Sequence, residues 1–188
     1  MKRTLVLSVC AGLALAGSSF AGEMTSGLEI NGGQNGFAGL MLKRADNAPQ
    51  EEGVLKLQVT LNQAQMLKGY GFVLHYDQAK YEFVEAKEVE GNLLDTGSGQ
   101  PVLFLSSNKT PGQVAVGAMK VDGESVQGEG QLVEFTFKTV ETPLPTDFQI
   151  AEGVLVDLEG NIDVVQNIEI ANLKPTPDIY GLNQNMPN

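Results

Sequence analysis

Residues 133–138 read Val133-Glu134-Phe135-Thr136-Phe137-Lys138, an unbroken alternation of apolar and polar side chains. Successive side chains of a strand point to opposite faces, so this run puts Val133, Phe135 and Phe137 on one face and Glu134, Thr136 and Lys138 on the other. A helix, with its period of about 3.6 residues, would scatter both sets around its surface. Upstream, Tyr70, Phe72, Leu74 and Tyr76 alternate with Gly71, Val73 and His75 in the same way. The two patterns predict half-buried strands with Phe72, Leu74, Tyr76, Phe135 and Phe137 facing one interior.

Outward from these two runs the chain breaks into short segments separated by Gly, Pro, Asn and Asp. That is the pattern of an all-β domain. The segments predicted as strands are 38–44, 54–61, 70–76, 81–86, 102–107, 113–120, 131–140, 147–151, 154–158 and 162–171. Residues 62–68 contain helix-favouring Gln, Ala, Met and Leu, and they predict a single helical turn between strands. Residues 92–96 predict another turn. So many short strands fit two antiparallel sheets packed face to face.

Composition narrows the function. The chain has 188 residues, 12 Lys and Arg against 23 Asp and Glu, one Cys, one His and no Trp. A net charge of −11 without a basic run argues against nucleic acid, whose phosphates require clustered Lys and Arg. It argues equally against an anionic membrane surface. A lone Cys and a lone His exclude a zinc cluster, a Cys–His nucleophile pair and a disulfide framework.

The first 21 residues form an export leader: Lys2 and Arg3, an apolar run over 5–17, then Ser19-Phe20-Ala21 with small residues at the two peptidase-read positions. The run is too short to span a membrane, which takes about 20 apolar residues. Cys10 lies within it, with Val9 where a lipidation box carries Gly or Ala, so cleavage is expected after Ala21. Residues 22–37 read as a flexible lead-in, 38–173 as the folded domain, and 174–188, with Pro175, Pro177 and Pro187, as linker.

Several of these segments, taken in order, resemble the cohesin family. Phe72-Val73-Leu74-His75-Tyr76-Asp77 followed by Tyr81-Glu82-Phe83 is similar to the aromatic strand, Tyr-Asp turn and next strand of cohesins. Residues 53–61, Gly91-Asn92-Leu93-Leu94, residues 112–119 and residues 128–138 resemble later family segments in the same order. The resemblance implies a jelly-roll β-sandwich of about nine strands that binds a dockerin-type protein module and needs no cofactor. A group of carbohydrate-binding modules shares this fold, which makes polysaccharide the alternative ligand. The residues one and three positions before Phe72, polar in cohesins that hold a dockerin helix, are Gly71 and Gly69 here. The ending, Leu182-Asn183-Gln184-Asn185-Met186-Pro187-Asn188, resembles the opening of a type IX secretion C-terminal sorting domain and implies that the chain continues.

In cohesin topology, three of these strands would be neighbours. Their outward residues, Val73 and His75, then Ala115, Gly117 and Met119, then Glu134, Thr136 and Lys138, are the expected partner-binding face. Small residues at Ala115 and Gly117 would let a partner helix lie close, and Met119 can adapt its shape. His75 alternates with core residues and has no companion ligands, so it reads as an outward strand residue. Asp157 to Asp163 looks briefly like a calcium loop, but Gly160 comes too early and position twelve is Ile168, so a turn is expected. Nothing in the spacing converges two carboxylates about 5 to 9.5 Å apart, as glycoside hydrolysis requires. No Gly-x-Ser-x-Gly elbow is present, and the expectation is a binding module without catalysis.

Overall fold

The computed structural model describes Asn35 and residues 38–45, 52–96 and 101–173. The leader, most of the lead-in and the sorting-domain-like ending lie outside the described residues. Among the described residues nine strands are formed: β1 (Gly39–Arg44), β2 (Val54–Tyr76), β3 (Glu82–Glu88), β4 (Val102–Ser107), β5 (Gln113–Lys120), β6 (Val126–Lys138), β7 (Phe148–Asp157), β8 (Ile162–Val164) and β9 (Asn167–Ile170). Among the described residues the sole helical element is the 3-10 turn Pro145–Asp147.

Two layers share β2. Its first half pairs with β1 and β6, giving the order β3-β6-β2-β1-β9. Its second half pairs with β5 and β7, giving β4-β5-β2-β7-β8. All pairings are antiparallel except β1 with β9. The layers close on one another through Phe72 against Phe135 (ring centroids 6.2 Å apart) and Tyr76 against Phe137 (5.0 Å).

Residues 62–68 are therefore not the helical turn their composition predicts. They belong to β2 and carry it from one layer to the other. Ala64 and Leu67 are buried and pair with Gly128 and Val126, so tertiary pairing overrides local helix preference. The bend is made by Gln63 and Met66, both with positive φ (53° and 49°), in the manner of strands that switch sheets at a corner. Two further boundaries change for physical reasons. Segments 147–151 and 154–158 join as β7, with the extra residue absorbed in a bulge where Glu152 has φ 55°. Segment 162–171 splits, because β8 pairs with β7 in one layer and β9 with β1 in the other.

The predicted core is where the alternation put it. Phe135, Phe137 and Leu74 are fully buried and Phe72 nearly so, while Tyr76 is half-buried at the end of the sandwich. Phe137 is the hub, touching the rings of Tyr76, Tyr81, Phe83, Phe135 and Phe148 at centroid distances of 5.0 to 6.4 Å. Edge-to-face pairs of this kind add to the area they bury. Tyr70 donates its hydroxyl to the Leu132 carbonyl at 3.0 Å, which satisfies the polar end of a buried ring.

Polar anchors fix the loops. Lys120 continues the inward alternation of Val114, Val116 and Ala118, and its side chain is only 1% exposed. Its ammonium reaches the Asp122 carboxylate at 3.1 Å and donates to the Leu94 carbonyl and the Thr96 hydroxyl, each at 3.3 Å. The loop before β4 is thereby tied to the end of β5. At the opposite end Asp147 accepts from Lys80 Nζ (2.8 Å), the Tyr81 hydroxyl (2.7 Å) and the Leu144 amide (3.0 Å). Burial alone would raise the Asp147 carboxyl, but these hydrogen bonds and the Lys80 charge hold it below the usual carboxylate range.

Candidate functional site

The outer face of the β4-β5-β2-β7-β8 layer is apolar nearly throughout. The strand registers arrange it in cross-strand rows. One row is Leu103, Met119, Gly69, Val156 and Ile162; the next is Leu105, Gly117, Gly71, Val154 and Val164. A third is Ser107, Ala115, Val73 and Ala151, and the face ends in the polar row Gln113, His75 and Gln149. None of these positions carries Asp, Glu, Lys or Arg. Leu103 and Leu105 are each 52% exposed, with Met119, Ile162 and Val164 exposed as well.

Five strands about 4.8 Å apart make this surface about 20 Å wide. The inward residues of the same strands, among them Phe72, Leu74, Val116, Ile150 and Leu155, are equally apolar and buried. A layer that is apolar on both faces normally has both faces covered, and contiguous exposed apolar patches larger than a few hundred Å² mark interaction sites.

The centre of the face is a trough. Gly71 stands directly opposite Gly117, with Gly69 next along β2. Leu103, Leu105 and Met119 wall it on one side, and Val154, Val156, Ile162 and Val164 on the other. The three glycines have different reasons to be there. A Cβ on Gly69 would lie 2.8 Å from the Ala118 carbonyl oxygen, so that residue is set by close backbone approach. A Cβ on Gly117 would meet nothing nearer than the Tyr70 oxygen at 3.5 Å, and one on Gly71 nothing nearer than Val154 at 3.5 Å. Neither has positive φ. The fold tolerates side chains at 71 and 117.

The eight residues expected on one face divide between two. Val73, His75, Ala115, Gly117 and Met119 come together on the apolar face. Glu134, Thr136 and Lys138 lie on the outside of the other layer, because β6 pairs with the first half of β2 and with β3 rather than beside β5. There Glu134 meets Lys87 at 3.3 Å and Lys138 meets Glu82 at 3.4 Å, a polar surface of opposite charges. Thr136 is buried, and its hydroxyl has no hydrogen-bond partner among the described residues. The two outer faces thus differ in kind, one apolar and one saturated with charge.

Sequence reasoning missed Leu103, Leu105, Val154, Val156, Ile162 and Val164. A trace existed in Val102-Leu103-Phe104-Leu105, where both strand faces are apolar, but only the topology shows that one of them is uncovered. No ring of Tyr or Phe occupies the rows of this face. The rings of Tyr70, Phe72, Phe135 and Phe137 are packed in the core, so an aromatic sugar platform is not formed from them. The Asp157 loop is a turn: its carboxylate accepts from the Glu159 and Asn161 amides, each at 2.9 Å, and from the Asn161 side chain at 2.8 Å. Among the described residues no three His, Cys, Asp or Glu cluster as metal ligands, and no helix is long and apolar enough to cross a membrane.

Neither a family model nor a curated protein matches the chain. Solved structures do. The type II cohesin A11 of Bacteroides cellulosolvens superposes with a TM-score of 0.56 at 12% identity, covering 73% of this chain and 99% of that one. A type II cohesin–X-dockerin complex of Acetivibrio cellulolyticus gives 0.56 at 13%, covering 72% and 98%. The non-cellulosomal cohesin of Archaeoglobus fulgidus gives 0.51 at 15%, covering 71% and 91%. At these identities the likeness defines the architecture: the fold is a cohesin-like jelly-roll β-sandwich.

Proposed function

We propose that this chain is a non-catalytic, extracellular interaction module that binds another protein module, dockerin-like in presenting a helix, through the apolar face of the β4-β5-β2-β7-β8 layer. The observation that carries this reading is the opposed pair Gly71 and Gly117. Glycine inside a strand costs about 0.5–1 kcal/mol relative to alanine, and here neither backbone geometry nor space demands it. A bare backbone floor between aliphatic walls suits a partner that lies close to the sheet. At the row of Gly71 and Gly117 the walls are Leu105 on β4 and Val154 on β7, three strand spacings or about 14 Å apart, enough for a helix about 10 Å across. The cohesin-like fold supports the same reading, since two of the similar structures are cohesins in complex with dockerin modules. The leader-like residues 1–21 support export.

The test is affinity capture from the secreted proteins of the source organism, with wild-type protein and Gly117→Arg side by side and a polysaccharide panel in parallel. A protein partner held by wild type and lost with Gly117→Arg, at unchanged melting temperature, is the expected result. Retention by the variant, or capture of polysaccharide alone, overturns the reading.

A further inference from the structure

Among the described residues each layer of the sandwich ends in two edge strands, and three of these four edges are blunted. β3 carries Glu82, Glu85, Lys87 and Glu88 and is broken by a bulge at Val84. β8 has three residues with Asp163 at its centre, and β9 has four with Glu169 among them. Charge, bulges and brevity are the devices that keep an edge from recruiting another strand. β4 uses none of them. Val102-Leu103-Phe104-Leu105-Ser106-Ser107 is six residues long, uncharged, free of proline and in unbroken register with β5. Among the described residues only β5 pairs with it, which leaves a row of backbone N–H and C=O groups along its outer edge.

We infer that β4 pairs antiparallel with β4 of a second copy of this chain, about a two-fold axis at Phe104, joining two layers edge to edge. Opposed residues must lie on the same face, so a central two-fold axis can pass only through Phe104 or Leu105. Through Leu105, Leu103 would face Ser107 and Phe104 would face Ser106. Through Phe104, Leu103 faces Leu105 of the other copy twice over, and the two Phe104 rings face each other. Aliphatic and aromatic cross-strand pairs favour this register. The strand is its own complement, because nowhere does it set like charges opposite one another. Edge pairing leaves the trough open on both copies, so this inference stands apart from the proposed partner binding. Each copy carries a net charge of −11, so long-range repulsion opposes association and salt should relieve it.

Analytical ultracentrifugation of the intact chain, from about 1 µM to about 1 mM, should show a reversible dimer of the small-interface kind. Its dissociation constant should fall several-fold as NaCl rises from about 50 to about 500 mM. Leu103→Lys with Leu105→Lys, both at exposed positions, should give a folded monomer at every concentration. In a Cys10→Ser background, Leu103→Cys with Leu105→Cys should oxidise to a cross-linked dimer, whereas Leu105→Cys alone should not. A wild-type chain that stays monomeric overturns the inference, as does a dimer that survives the two lysines. Cross-linking by Leu105→Cys alone overturns the Phe104 register.

Discussion

Gly71 and Gly117 face each other across β2 and β5, and each has room for a side chain that the sequence does not supply. This pairing separates what the fold needs from what the proposed partner would need. Gly117→Ala should raise stability by up to about 1 kcal/mol, through lower unfolded-chain entropy and an ordinary 3.5 Å contact with the Tyr70 oxygen. The same change should weaken partner binding at least several-fold, by lifting the partner off the sheet. Thermal unfolding and a titration on one preparation check both signs. A stabilised variant with unchanged affinity would remove the functional reason for the glycine.

Gly69 is the control for that experiment. A Cβ there meets the Ala118 carbonyl oxygen at 2.8 Å, closer than real contacts allow. Gly69→Ala should lower the melting temperature where Gly117→Ala raises it.

Phe137 joins both layers through five ring contacts and is fully buried. Phe137→Ala should cost about 3–5 kcal/mol, the range for emptying a packed aromatic site. Denaturant unfolding measures it, and a loss below about 1 kcal/mol would mean that the hub collapses around the cavity.

Asp147 gives the fold an acid dependence. Its folded carboxyl sits below the ordinary value of about 3.9, so the stability it contributes is complete above that pH and is lost as pH falls through the lower folded value. Asp147→Asn should be less stable than wild type at pH 7 and lose less on further acidification toward pH 3. Parallel acid-loss curves for the two proteins would contradict this.

Lys120 should govern the loop before β4 more than the strands. Lys120→Met keeps the apolar stem but removes the donors to Leu94, Thr96 and Asp122. Amide exchange at Leu94 and Asp95 should accelerate, while amides of β2 and β6 keep their protection.

Much of this fold was legible because period-2 alternation is a direct projection of a two-faced strand. Phe135 and Phe137 lie inside as 133–138 implied, and the ordered segments carried the cohesin-like architecture. Residues 62–68 were illegible for a specific reason: nothing in Gln63 or Met66 announces a left-handed backbone, and pairing with Val126 and Gly128 is non-local. The candidate site was half legible. Val73, Ala115, Gly117 and Met119 followed from facing arguments within single strands. Which strands lie side by side is a property of the topology, so facing within β6 alone does not reveal that Glu134, Thr136 and Lys138 line the outside of the other layer, nor that Leu103 and Leu105 are uncovered.

The passage of β2 through both layers has a consequence for how the molecule comes apart. A sandwich of two separate sheets can lose one and keep the other as a partly ordered remnant. Here Leu57 and Leu74 belong to one unbroken strand whose halves are pinned in opposite layers, so fraying at either end pulls the register of the other. The domain should therefore melt as a single cooperative unit, and half-unfolded forms that bare the Phe137 cluster while keeping the trough intact should go unpopulated.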